Sequence, residues 1–126
     1  MKQTIRTAGM RPTLGALLGL LLAAGVVGEL AAAEPTFGGS CDVTKLLGYC
    51  MEYRGADWQT PAAQADCATA PDGEFSTSPC PSASRAGTCS YLPRGTESSE
   101  IVYIFYQPMA ASMAEMSCPG TFTPGQ

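Results

Sequence analysis

The chain has 126 residues and a net formal charge of −4, with seven basic and eleven acidic side chains and no histidine. Without histidine, a Ser-His-Asp or Cys-His catalytic group, a histidine zinc site and the usual haem ligation are excluded. The excess of acidic residues also makes nucleic-acid binding unexpected, because lysine and arginine side chains are needed to neutralise the phosphates.

Residues 1–33 have the pattern of a secretory signal peptide. A basic start is followed by an apolar run at positions 14–27, and Ala31 and Ala33 supply the small side chains that a signal peptidase prefers. The apolar run is short for a membrane anchor, which needs about 20 residues. We therefore predict cleavage after Ala33 and no membrane insertion of the mature chain.

The mature chain is predicted to begin with a flexible leader at 34–40 and to continue as one six-cysteine domain at 41–126. Glycine, proline and residue periodicity place the elements in this order: strand 48–53, helix 60–68, loop 70–84, strand 87–92, hairpin loop 94–99, strand 100–107 and helix 108–117. Positions 100–107 are rich in β-branched and aromatic residues and apolar on both faces, which is typical of a central strand.

All six cysteines follow the predicted cleavage site: Cys41, Cys50, Cys67, Cys80, Cys89 and Cys118. An even count in a short exported chain predicts a disulfide framework formed in an oxidising compartment. The spacing Cys41-x8-Cys50 recurs as Cys80-x8-Cys89, and four further features follow in the same order. This pattern predicts two degenerate repeats, 41–79 and 80–126. Three cysteines in each repeat require at least one bridge between them if all six pair.

The predicted fold class is therefore α+β: a small disulfide-rich domain of two degenerate βα units after a signal peptide. Large apolar residues are few outside positions 14–27, so the hydrophobic core is expected to be thin. Disulfides each contribute about 2–4 kcal/mol, which is comparable with the net stability of a small domain. The cysteines are accordingly interpreted as structural, and no metal or cofactor is expected.

Four residues are candidates for binding. Trp58, beside Asp57 in a predicted loop, is either a contact residue or a core anchor, since tryptophan serves both roles. Tyr103 and Tyr106 lie on opposite faces of the strand at 100–107, and one of these faces is a candidate binding surface.

Three methionines recur at helical spacing in the second predicted helix, at Met109, Met113 and Met116. Thioether sulfur can bind cuprous copper in exported proteins. The same spacing also describes the inward face of an amphipathic helix, and we predict that these side chains pack in the core.

By elimination, the expected function is a non-enzymatic binding module, secreted or periplasmic, whose partner is another exported protein or a cell-envelope component. Abundant alanine and glycine without asparagine suggest a bacterial source. One alternative is a small secreted effector or inhibitor, toxin-like or directed at a protease, that presents the loop at 93–99 or 73–79. The other is a carboxylate-based hydrolase. Its candidate residues are Glu52, Asp57, Asp66 and Glu74.

Overall fold

A computed structural model describes residues 35–125, and the predicted signal peptide with its cleavage site lies outside the described residues. The elements in chain order are β1 (Phe37–Asp42), α1 (Thr44–Leu47), β2 (Tyr49–Arg54), α2 (Thr60–Cys67), β3 (Glu74–Ser76), β4 (Arg85–Tyr91), β5 (Glu100–Tyr106), α3 (Ala111–Met116) and β6 (Thr121–Pro124). A 3₁₀ turn at Glu97–Ser99 precedes β5. None of the helices within residues 35–125 is long and apolar enough to cross a membrane.

All six strands form one antiparallel sheet in the order β3-β1-β2-β5-β4-β6. The strand predicted to be central, β5, lies between β2 and β4, as its two apolar faces required. Ile104 and Phe105 point to opposite faces and are both buried. The sheet, the helices and the three disulfides together make the domain a small α+β, disulfide-rich fold.

Both longer helices pack on the same face of the sheet, here called the helix side. Ala63 and Cys67 are four residues apart in α2 and are both buried, and Ala114 of α3 is buried in the same way. Beneath α2 the core contains Met51 and Tyr53 of β2. Small alanines at these contacts let each helix approach the sheet closely, so most of the buried volume comes from the strands.

The opposite face, here called the linker side, is crossed by the segment 77–84 that connects β3 to β4. The disulfide between Cys50 and Cys80 fastens this segment to β2. The hydroxyls of Ser40 and Tyr106 donate to the carbonyl oxygens of the segment, at 2.7 Å in both cases. The segment thus covers the apolar residues at the centre of this face.

All six cysteines are paired in three disulfides: Cys41–Cys67, Cys50–Cys80 and Cys89–Cys118. Two bridges each fasten a helix end to the strand below it, and Cys50–Cys80 joins β2 to the segment between β3 and β4.

The sheet has two halves with the same order of elements, residues 37–76 and 85–124, related about its central pair Met51–Tyr103. Cys41 pairs with Met51 on one side and Phe75 on the other. Cys89 pairs in the same way with Tyr103 and Phe122. Cys41 and Cys89 therefore hold matching positions.

The correspondence drawn from the Cys-x8-Cys spacing is accordingly wrong, because it matches Cys41 with Cys80. Cys80 lies in the linker segment and has no place in either set of strands. The common origin of the two halves stays a prediction, now with Cys41 matched to Cys89.

Part of the predicted leader is ordered as strand β1. Gly38 and Gly39 are buried, and a β-carbon on Gly38 would come within 1.7 Å of the carbonyl oxygen of Trp58. These glycines therefore permit close packing, whereas the sequence pattern indicated flexibility. In addition, β3 occupies part of the predicted loop 70–84, and α3 begins at Ala111 because Pro108 lies in a turn.

Candidate functional site

Asp57 joins two loops at one end of the sheet. Its carboxylate forms a salt bridge with the Arg94 guanidinium at 3.3 Å and accepts a hydrogen bond from the Ser98 hydroxyl at 3.2 Å. Its backbone N–H donates to the carbonyl of Ser98 at 2.8 Å. These bonds hold the loop after β2 against the loop between β4 and β5, so the side chain already has partners within the domain.

Trp58 packs inward from the same loop. Its ring lies 4.9 Å from the Tyr53 ring at a tilt of 53°, and it joins the helix-side core of the first half. The indole nitrogen is buried and has no hydrogen-bond partner within residues 35–125. This geometry favours the core-anchor interpretation of Trp58 over the contact interpretation.

Tyr103 and Tyr106 lie on opposite faces, as the strand alternation predicted. On the linker side, Tyr106 donates its hydroxyl to the carbonyl of Pro81, and burial raises its pKa while Arg85 opposes that shift. On the helix side, Tyr103 lies edge-on to Tyr49 with 5.5 Å between ring centroids. The four predicted residues therefore do not form one site, and Tyr103 alone lies at a concave surface.

That surface is a groove on the helix side, between α1 and the end of α3. Its volume is about 320 Å³. The lining residues are Leu47, Tyr49, Tyr103, Phe105, Met109, Ser117 and Pro119, and together they define what we call the aromatic groove. Tyr49 also lies edge-on to Phe105 at 5.7 Å, so three rings form a continuous wall.

Exposed apolar side chains extend the surface next to the groove. Leu46 in α1 is 57% exposed, and Met113 and Met116 in α3 are 55% and 75% exposed. Met113 lies one turn before Ser117, a groove residue, and therefore on the same side of the helix. Exposed apolar side chains on the two helices beside a groove are typical of an interaction surface.

The prediction that the three methionines pack in the core is wrong for two of them. Met109 is half-buried against the core cluster that contains Phe105, but Met113 and Met116 face solvent. The inward side of α3 is set by Ala114, four residues before the disulfide-bonded Cys118. The cysteine was the available signal, because a bridged residue at a helix end must face the sheet.

The tyrosines of the groove are neutral donors. Burial raises the pKa of both Tyr49 and Tyr103, so each phenol keeps its proton well above neutral pH. The hydroxyls of Tyr53 and Tyr106 donate to Asp66 and Pro81, whereas those of Tyr49 and Tyr103 have no hydrogen-bond partner within residues 35–125. The groove therefore combines apolar walls with two available hydroxyls, which is the usual composition of a binding site.

The carboxylates proposed for a hydrolase are each engaged with a different partner. Glu52 accepts hydrogen bonds from Arg54 and from the N–H of Cys80, while Asp57 forms a salt bridge with Arg94. Of the other two, Asp66 accepts from Tyr53, and Glu74 pairs with Lys45. Within the described part of the chain, acidic and cysteine residues form no group that could hold a metal ion.

The two loops considered for an inhibitor differ in structure. Residues 93–99 are mostly exposed and are held by Asp57 through Arg94 and Ser98. Residues 74–76 of the other loop form β3 at the edge of the sheet.

Comparison with protein-family models, curated proteins and solved structures finds no match to this chain.

Proposed function

We propose that the protein is an exported, non-enzymatic binding module that holds another exported protein through the aromatic groove. The observation that carries this proposal is the concave wall of three aromatic rings, together with the exposed Leu46 of α1 and Met113 and Met116 of α3. Methionine adapts to partners of different shape, and aromatic residues supply large contact areas at interfaces. A groove of this composition suits a partner side chain better than a polar substrate.

Export is the second part of the proposal. Cleavage after Ala33 would release the mature chain into the periplasm or the medium of a bacterial cell. Three disulfides support an oxidising compartment, since reducing conditions would leave the thiols unpaired. The cross-links would also keep the groove in shape outside the cytoplasm.

Charge favours a neutral or basic surface on the partner. Within residues 35–125, Lys45, Arg54 and Arg94 are already paired with carboxylates of the domain. The remaining carboxylates outnumber the remaining cations, so an acidic partner would be repelled.

Site-specific photocross-linking in the exporting cell tests this proposal. A benzophenone amino acid at position 116 should give a discrete cross-linked product with an exported protein, and Met109→Trp should remove that product by filling the groove. The matched control places the same probe at Ala65, which has the corresponding position on α2. No product from position 116, or the same products from both helices, would contradict the proposal.

A second candidate, a protease inhibitor, is favoured by the loop at 93–99. Arg94 donates its backbone N–H to the Ser99 hydroxyl at 3.3 Å, and Ser99 donates to the carbonyl of Thr96 at 3.1 Å. These bonds shape an exposed loop that could enter a protease cleft. Stoichiometric inhibition of a protease panel, lost when the loop is cleaved, would establish this function in place of the first.

A further inference from the structure

We infer that the aromatic groove receives one aromatic side chain of the partner protein, in the place that the Trp58 indole fills in the other half of the domain. The inference rests on the proposed function and names the chemical group that the groove recognises. It follows from a comparison of the two halves, which place different residues at one equivalent position.

Trp58 and Met109 are equivalent because each directly precedes the N-cap residue of a helix that packs on the sheet. The N-cap of α2, Gln59, has φ −63° and ψ 151°, and that of α3, Ala110, has φ −69° and ψ 143°. Each N-cap carbonyl accepts a hydrogen bond at 3.0 Å from the buried alanine of its helix. The backbone therefore enters both helices along the same course.

The rings beneath these two residues are equivalent as well. Tyr53 and Phe105 each lie two residues beyond the central pair Met51–Tyr103 in their strands, and both are fully buried. In the first half the indole of Trp58 packs on Tyr53. In the second half the thin, unbranched side chain of Met109 leaves the groove open beside Phe105.

The first half thus shows how this scaffold accommodates an aromatic side chain at this position. An incoming ring would add a fourth member to the wall formed by Tyr49, Tyr103 and Phe105, whose members already pack edge to face. Edge-to-face packing strengthens a contact beyond the area that it buries. The available hydroxyls of Tyr49 and Tyr103 could accept an indole N–H, which is a donor only.

The test uses two small probes on the full exported protein with its disulfides intact. N-acetyl-tryptophan amide and N-acetyl-leucine amide are titrated separately while the methionine methyl signals are followed by NMR. We expect saturable shifts of the Met109 methyl, with the tryptophan probe binding about two- to tenfold more tightly than the leucine probe. Met109→Trp should abolish the binding, and Met109→Leu should retain it.

Phe105→Leu provides a second variant if Met109→Trp does not fold. It removes the ring but keeps a buried apolar side chain, so it should remove the preference for the tryptophan probe. Equal binding of the two probes to the unmodified protein would overturn the inference in favour of an aliphatic side chain. Concentration-dependent shifts without any probe would overturn it in favour of a second copy of the chain, and the absence of saturable shifts would overturn it outright.

Cross-linking from position 116 distinguishes these failures from failure of the proposed function. That product depends on a bound partner protein and not on the chemistry of its side chain. If the product forms while the probes do not discriminate, only the aromatic inference fails. If the tryptophan probe binds while no product forms, the groove recognises aromatic groups but the partner-protein proposal fails.

Discussion

Phe75 lies over Gly39, and a β-carbon on that glycine would come within 2.5 Å of the ring. The second half repeats the arrangement with Phe122 over Gly87, where the distance would be 2.3 Å. Each ring lies on an edge strand and covers a glycine of its neighbour beside an irregularity in the strand register. The edge strands are thus anchored by one ring each.

Gly87→Ala is expected to destabilise the domain by about 1–3 kcal/mol, because the new methyl group must displace the Phe122 ring. Gly39→Ala should cost more, since Gly39 also has φ +137°, which alanine rarely adopts. Urea unfolding followed by the fluorescence of the single tryptophan measures both. In a double-mutant cycle, Phe122→Leu should relieve part of the cost of Gly87→Ala, and strict additivity would show that the ring contact is not the cause.

The three disulfides should contribute similarly to stability, because they close loops of similar length. The sequence separations are 26, 30 and 29 residues for Cys41–Cys67, Cys50–Cys80 and Cys89–Cys118. The loss of chain entropy in the unfolded state predicts about 3–4 kcal/mol for each, with differences of only about 0.1 kcal/mol. Replacing each pair by alanines and comparing the urea midpoints checks this expectation. A much smaller loss of stability for one pair would contradict the expectation, because it would mean that loop closure does not determine what that disulfide contributes.

The sequence predicted the core elements of the fold and a repeated arrangement, but it matched Cys41 with Cys80 instead of Cys89. The central strand β5 and the helix α2 were evident from residue type and from proline at a helix start. Strands β1, β3 and β6 were not evident as strands, because β1 contains two adjacent glycines, β3 has only three residues and β6 ends in proline. The two edge strands, β3 and β6, are held in place by the packing of Phe75 and Phe122 on glycines far away in the sequence. A local sequence pattern does not reveal such long-range contacts.

The candidate site was largely missed for a related reason. Tyr103 was identified, but Tyr49 and Met109 come from distant parts of the chain and meet it only in the folded sheet. The methionine spacing in α3 indicated that these side chains share one face of the helix, but not whether that face is turned to the sheet or to solvent. Only the disulfide at Cys118, which fixes the inward side, resolves that direction.

Glu52 should stabilise the linker side as a buried acceptor. Glu52 is only 4% exposed, and its carboxylate accepts hydrogen bonds from the N–H of Cys80 at 3.0 Å and from Arg54 at 2.5 Å. Glu52→Ala leaves the Cys80 N–H without its partner, so we expect a loss of about 2–3 kcal/mol. Glu52→Gln keeps an acceptor and should lose about half as much. Equal losses in urea unfolding would show that the negative charge matters and the hydrogen bond does not.

Tyr53 should make the stability of the domain decrease as the pH rises above about 10. Burial first, and then the hydrogen bond to Asp66 at 2.9 Å, raise the pKa of this phenol well above its ordinary value. Between the unfolded pKa of about 10 and the higher folded pKa, the unfolded chain releases the proton while the folded domain retains it. Rising pH therefore favours unfolding, by up to about 1.4 kcal/mol per pH unit for this group.

Tyr53→Phe removes the ionisable group and should cost about 1–2 kcal/mol near neutral pH, through the lost hydrogen bond. The difference from the unmodified domain should then shrink above pH of about 10, because only the unmodified domain loses the contribution of Tyr53. Urea unfolding of both proteins across this range measures the difference at each pH. Tyr49, Tyr103 and Tyr106 also have raised pKa values and are present in both proteins, so their contributions cancel in the comparison. A difference that stays constant with pH would mean that Tyr53 titrates equally in the folded and unfolded chain, contrary to its burial against Asp66.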